Sequence, residues 1–167
     1  MKGTLKVNGK EFTIELDNEI LKHLKEFKIT GYERVEKNND YYYVSFDGII
    51  EDQYEDGGYT DDKCYSIANY YSDKTVAENN AKADTLIRKL RRFAVEHREH
   101  ELDWDDCHKN KYLIYYNHEE EKLSISHNEI YQSFGLIYFD TQKTADAAIE
   151  EFKDELRWYF TEYKDSL

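Results

Sequence analysis

Three groups of residues in this chain carry side chains suited to chemistry or recognition. The first is an acidic run of Asp47, Glu51, Asp52, Glu55, Asp56, Asp61 and Asp62, with no Lys or Arg between Asp47 and Lys63. Carboxylates spaced along a segment can hold calcium or take the places that phosphates occupy in a nucleic-acid backbone. The calcium reading is weak, because the run lacks the alternating oxygen ligands and closing Glu of an EF-hand loop. A solvated loop that serves solubility is the plain alternative. The second group lies in His97–His108, where His97, His100 and Asp103 recur at three-residue spacing. On a continued helix they would line one side, as a metal site requires. The HExxH order is missing, and a helix end followed by a turn anchored by Trp104 explains the same residues. The third group is cationic: Arg88, Lys89, Arg91 and Arg92 on one helix face. It suits phosphate, or the acidic run of the same chain.

Nucleophilic chemistry has little to work with. The chain contains no GxSxG, Walker or GxGxxG pattern. Cys64 has no adjacent His, and the neighbours Cys107 and His108 need not meet through their side chains. These observations point to a non-enzymatic protein with no metal and no cofactor.

Tyrosine is the remaining lead, at 16 residues of 167. Each Tyr offers an apolar ring and a polar tip, which suits core rims and binding faces alike. On the strand that begins at Tyr41, Tyr42, Val44 and Phe46 share one face, leaving Tyr41 and Tyr43 on the other. Tyr115 stands likewise opposite the apolar set of its own strand. Tyr41, Tyr43 and Tyr59 therefore join Glu51, Asp52, Glu55, Asp56, Asp61 and Asp62 as candidate partner-binding residues. Packing beneath the N-terminal hairpin, or between units, is the competing account for the strand tyrosines.

Charge narrows the partner. Residues 1–38 carry eight basic and seven acidic residues, whereas 39–167 carry 15 and 29. The excess of the net −13 thus lies wholly in the second part. Such a surface repels phosphate backbones and is drawn to basic grooves, including grooves that normally hold nucleic acid. Direct nucleic-acid binding is not expected, and a protein partner with a basic surface is.

The elements that would position these residues follow from periodicity. Gly3–Asp17 alternates around Asn8-Gly9, a strong hairpin signal. Asn18 can cap a helix reaching Phe27, stopped at Thr30-Gly31. Tyr32–Asp40 is a polar connector. A first unit then runs through a strand from Tyr41 to Phe46, a turn at Asp47-Gly48, a strand from Ile49, an acidic loop over Glu51–Asp62 and a third strand over Lys63–Tyr71. It closes on a helix capped by Ser72 or Asp73 and ending near His97, with Val76, Ala83, Ile87, Leu90 and Ala94 as its apolar stripe. After a charged connector the order repeats: strands Lys111–Tyr116, Lys122–Ser126 and Phe134–Phe139, a cap at Asp140 or Thr141, and a helix to about Tyr163. The helices align at an offset of 68 residues and the first strands at 70, a difference that a loop absorbs. The expected class is α+β: an N-terminal hairpin and helix over 1–38, then two tandem strand-strand-strand-helix repeats with antiparallel sheet, 39–108 and 109–167.

No apolar run approaches membrane-spanning length, and Met1-Lys2-Gly3-Thr4 leads into alternation rather than a signal-peptide block. Cys64 and Cys107 have no paired spacing, so free thiols in a reducing cytoplasm are expected.

Several stretches are familiar in combination: Gly31-Tyr32-Glu33-Arg34-Val35-Glu36-Lys37, Tyr41-Tyr42-Tyr43-Val44, Ile67-Ala68-Asn69-Tyr70-Tyr71, Leu90-Arg91-Arg92-Phe93-Ala94, Leu102-Asp103-Trp104, Lys111-Tyr112-Leu113-Ile114-Tyr115-Tyr116 and Phe134-Gly135-Leu136-Ile137-Tyr138-Phe139. Over nearly its whole length the chain resembles small accessory proteins of phages and prophages of low-GC Gram-positive bacteria. The group often has Gly-Asn-Tyr-Phe where this chain has Ala68-Asn69-Tyr70-Tyr71. The resemblance implies a phage protein in the cytoplasm of a bacterial host. Many small acidic proteins in that setting inhibit host defence, anti-CRISPR proteins among them. The expected function is therefore an acidic binding protein that occupies a basic, nucleic-acid-binding groove of a defence complex. The alternative is a nucleic-acid or nucleotide-binding module using the Arg88–Arg92 helix and the strand tyrosines.

Overall fold

The computed structural model describes residues 2–7, 10–15 and 30–163. Two antiparallel strands, β1 (Lys2–Val7) and β2 (Lys10–Glu15), pair with Val7 opposite Lys10, the register expected of a hairpin around Asn8-Gly9. The turn itself and the expected helix from Asn18 to Phe27 lie outside the described residues. Next come β3 (Asp40–Val44), β4 (Ile50–Tyr54), α1 (Tyr59–Ser66) and α2 (Lys74–Glu96). Then follow β5 (Lys111–Asn117), β6 (Lys122–Asn128), α3 (Gln142–Glu151) and α4 (Lys153–Thr161). The class is α+β, and the described strands form three separate two-stranded antiparallel sheets.

Two expectations are corrected here. The expected acidic loop over Glu51–Asp62 is a strand, a tight corner and the first turn of α1, and the expected third strand over Lys63–Tyr71 is the rest of that helix to Ser66 followed by a turn. The reason is local. Asp61 and Asp62 sit in the first turn of α1, where negative charge is favoured, and Asp61 accepts from the backbone N–H of the N-cap residue Gly58 at 3.1 Å. Of the expected third strand, Tyr71 alone pairs with β3 through its backbone: it exchanges both hydrogen bonds with Tyr42, at 2.8 and 2.9 Å. The third strand of the second unit shrinks in the same way to one bridge, Tyr112 to Phe139, with both bonds at 2.8 Å. Ahead of it Gly135 takes a left-handed φ of 81° and Leu136 is exposed.

Each bridge delivers the chain to a helix cap. Asp73 accepts from the N–H groups of Thr75 and Val76 at 2.7 and 3.1 Å, and Thr141 accepts from that of Thr144 at 3.1 Å. The last helix is not continuous to Tyr163. It breaks at Phe152, whose φ and ψ of −115° and 24° leave the helical range, and whose ring sits edge-on to Phe93 at 5.6 Å.

The main core is shared. Leu86, Leu90 and Ala94 of α2 are buried with Phe139, Ala145, Ala148 and Leu156, backed by Ile114 of β5 and Leu123 of β6. Hence α2 closes the first unit in sequence while supplying core to the second. A smaller aromatic cluster lies under β3, where Tyr41 is fully buried and stacks on Tyr70 at 3.9 Å and 14°.

Candidate functional site

The acidic segment divides into carboxylates that hold the corner together and carboxylates that face solvent. Glu55 is buried and belongs to the interior. Arg34 Nε and Nη2 donate to its two oxygens at 3.0 and 2.9 Å, the Tyr70 hydroxyl donates at 2.8 Å and the Gly57 N–H at 3.0 Å. The Arg34 bonds, against the opposing effect of burial, hold the Glu55 carboxyl below its ordinary range. Burial, then the Glu55 carboxylate, pushes the Tyr70 hydroxyl up to about 12. Arg34 also reaches Asp62 at 2.7 Å, so one guanidinium bridges two members of the run.

Asp61 is the second interior carboxylate, 1% exposed. The Tyr41 hydroxyl donates to it at 3.0 Å, and the N–H groups of Asp56, Gly57 and Gly58 donate at 3.0, 3.0 and 3.1 Å. Burial alone would raise its pKa. The Asp56 amide, the Tyr41 hydroxyl and the Gly58 amide outweigh burial and hold the carboxyl low. Burial, then the bond to Asp61, drives the Tyr41 hydroxyl strongly up.

Of the nine residues expected to face a partner, Glu55, Asp61 and Tyr41 are therefore internal, and their partner-binding role is corrected to a structural one. Tyr43 is half-buried and donates its hydroxyl to Glu51, its cross-strand neighbour. Glu51, Asp52, Asp56, Tyr59 and Asp62 are exposed, Tyr59 at 77%. Together they form an acidic corner on β4, the β4–α1 turn and the first turn of α1.

The cationic face of α2 meets none of these groups. Lys89 pairs with Glu155 at 3.3 Å and Arg92 approaches Glu96 at 4.0 Å, while the acidic corner is served by Arg34. Among the described residues no ion pair joins this face to the acidic run: Arg34 takes Glu55 and Asp62, and Asp47 lines the same cleft as Arg88 without pairing with it. Among the described residues Arg88 hydrogen-bonds the Thr85 hydroxyl, at 3.2 Å, and no carboxylate. Beside this face an open cleft of about 750 Å³ runs between α2 and the tip of the β3–β4 hairpin. Its rim includes Phe46, which is fully exposed, and Ile67 at 69%. Phe46 was expected on the apolar strand face with Tyr42 and Val44. Instead β3 ends at Val44, and the hairpin turn, in which Asp47 accepts from Ser45 Oγ and the Ile49 N–H, carries the ring into solvent.

The histidine cluster does not converge. His97 bonds the Phe93 carbonyl at 3.0 Å and stacks on that ring at 3.9 Å, and Asp103 binds Lys109 at 3.3 Å. Among the described residues no three His, Cys, Asp or Glu side chains gather in a metal-binding arrangement. Cys107 Sγ does approach His108, at 3.6 Å from Nδ1. Asp106 faces the same nitrogen at 3.5 Å. A catalytic relay needs the thiol and the carboxylate on opposite ring nitrogens, so this trio lacks the required arrangement. Lys111 is buried with its ammonium on the carbonyls of Asp106 and Glu129, at 2.9 and 2.8 Å.

Sequence reasoning missed Arg34 as the organiser of the acidic corner and Phe46 as a surface residue. One signal for the first was present: Arg34 is the sole arginine before Arg88 in a stretch that otherwise uses lysine. A fork-shaped donor where lysine would supply equal charge marks a geometric need. No protein-family model, curated protein sequence or solved structure matches this chain. Among the described residues no helix is long and apolar enough to cross a membrane.

Proposed function

We propose that this chain is a non-catalytic binding protein whose acidic corner docks on a basic surface that handles nucleic acid. The carrying observation is the division of labour among the carboxylates. Glu55 and Asp61 are locked inside by Arg34, Tyr70, Tyr41 and three backbone amides. Asp56 and Asp62 are tied to that frame at the surface, by the Gly58 N–H and by Arg34, and Glu51 is held by the Tyr43 hydroxyl, while Asp52 and Tyr59 stand exposed alongside. Charges held in advance cost little entropy to dock, and an exposed Tyr supplies apolar contact area. The setting implied by the resemblance, a phage protein that blocks a host defence complex in the bacterial cytoplasm, fits this reading: a basic nucleic-acid groove is a ready receptor for ordered carboxylates.

We also read the two hairpin-and-helix units as copies of one module. The bridges Tyr42–Tyr71 and Tyr112–Phe139 stand at matching places, each followed two residues later by a helix cap. This supports duplication even though each third strand amounts to one bridged residue.

The test uses the full chain with purified CRISPR effector complexes, measuring association and displacement of target DNA. Glu51→Gln, Asp52→Asn and Asp56→Asn are combined in one variant, and Asp62 is kept because it pairs with Arg34. Association of the native protein should fall steeply with salt, and the variant should bind at least about 10-fold more weakly with an unchanged unfolding midpoint. Equal binding by the variant, or no association with any complex at low salt, refutes the proposal.

A further inference from the structure

We infer that the cleft between the β3–β4 tip and α2 binds one nucleotide unit, with its base against Phe46 and Ile67 and its phosphate between Arg88 and Arg92. This inference is independent of the acidic corner. It also differs from the expectation that strand tyrosines would serve a nucleic acid, since Tyr41 is buried and the Tyr43 hydroxyl is spent on Glu51.

The argument starts from Phe46. Single exposed apolar residues are ordinary on protein surfaces. Phe46, however, is wholly exposed at the end of a turn stiffened by its own hydrogen bonds: Ser45 N–H to the Ile49 carbonyl at 2.8 Å, Gly48 N–H to the Ser45 carbonyl at 3.0 Å, and Ile49 N–H to Asp47 at 3.2 Å. A ring carried into solvent on a hydrogen-bonded turn offers a stacking surface, and its π-face accepts any base. Ile67 extends the apolar surface along the same cleft. Asn69 lines it too, but both ends of its amide are engaged by the backbone of Val44, at 2.8 Å each, so it secures the wall rather than reading a ligand.

The opposite wall supplies cations with spare capacity. Among the described residues Arg88 has no carboxylate partner, and Arg92, 71% exposed, meets Glu96 only at 4.0 Å. Lys89 is committed to Glu155. Asp47 and Asp84 also line the cleft, so its positive charge is modest. That balance selects the size of the ligand. A duplex would set many phosphates against a chain of net charge −13, whereas one or two phosphates meet a local pair of guanidiniums inside a screening length of about 8 Å. The shared chemistry is a base bearing a phosphate, whether a free nucleotide or one unit of a single strand.

Calorimetric titration of the full chain at low salt tests this, with nucleoside monophosphates, inorganic phosphate, a short single-stranded oligonucleotide and its duplex. Phe46→Ser and Arg88→Gln are the perturbing variants. Arg91→Gln, on the same helix but away from the cleft, is the control. Binding of monophosphates assigns the site to free nucleotides, and binding of the single strand alone assigns it to strand segments. In either case Phe46→Ser and Arg88→Gln should each weaken binding roughly 10-fold, with Arg91→Gln unchanged. No binding, inorganic phosphate or duplex bound as well as the nucleotide, or indifference to Phe46→Ser overturns the inference.

Discussion

Replacing Asp61 removes one carboxylate that accepts four hydrogen bonds, and the cost can be worked from its partners. In Asp61→Ala the Tyr41 hydroxyl, fully buried and bonded at 3.0 Å, loses its acceptor. An orphaned buried donor costs about 2 kcal/mol. The amides of Asp56, Gly57 and Gly58 lie at a part-exposed corner where water replaces much of what is lost, adding about 2 kcal/mol between them. The expected total is about 4 kcal/mol, which at a urea slope of about 2 kcal/mol/M lowers the midpoint by about 2 M. Asp61→Asn keeps the shape and one oxygen for the amides, and should cost about 1.5 kcal/mol. Tyr41→Phe combined with Asp61→Ala should cost about 1 to 2 kcal/mol less than the sum of the single changes, because the two groups share a bond. The pH dependence has a defined sign. The folded-state pKa of Asp61 is lowered, so its stabilisation is complete above the unfolded value of 3.8 and is lost as pH falls through the folded value. The gap between native protein and Asp61→Asn should therefore be widest near neutrality and shrink in acid. Urea melts across that range decide the matter. A cost for Asp61→Ala below about 1 kcal/mol, or an Asp61→Asn gap that ignores pH, would refute the reasoning.

Three backbone predictions rest on positive φ. Gly31 has φ 87°, and a Cβ there would lie 2.6 Å from Val76 Cγ2, so Gly31→Ala should destabilise by about 3 kcal/mol in thermal melts. Gly48 has the same φ with open space around it, so Gly48→Ala should cost only about 1 kcal/mol, and equal costs would show that the clash at Gly31 relaxes freely. Ala68 holds φ 56°, a left-handed conformation that Gly adopts without strain; Ala68→Gly should raise stability by about 0.5 to 1 kcal/mol, and a loss would mean its methyl packs usefully.

The local elements were legible because short-range rules govern them. Alternation marked β3, β5 and β6, helical spacing and a cap at Ser72 or Asp73 marked α2, and a cap at Asp140 or Thr141 marked the start of α3; the structure uses Asp73 and Thr141. Legibility failed where two periods compete over few residues. Cys64, Ile67 and Tyr70 recur at three-residue spacing, nearer the helical period than a strand's, and the stretch that begins with Asp61-Asp62 winds into α1 once the corner amides find a carboxylate.

Composition and order alone determined that the chain is α+β, that its net negative charge lies beyond residue 38 and that four cations cluster over residues 88–92. Which carboxylates face a partner was decided only by the tertiary structure. Period-two alternation says which side chains share a face but not which face is covered, and Tyr41 proved the covered one. Arg34 stands 21 residues from Glu55, so no local rule pairs them; the packing of α1 and Tyr70 against β3 does. Phe46 shows the converse, a ring placed on the core face by spacing and left in solvent because its strand stops two residues earlier.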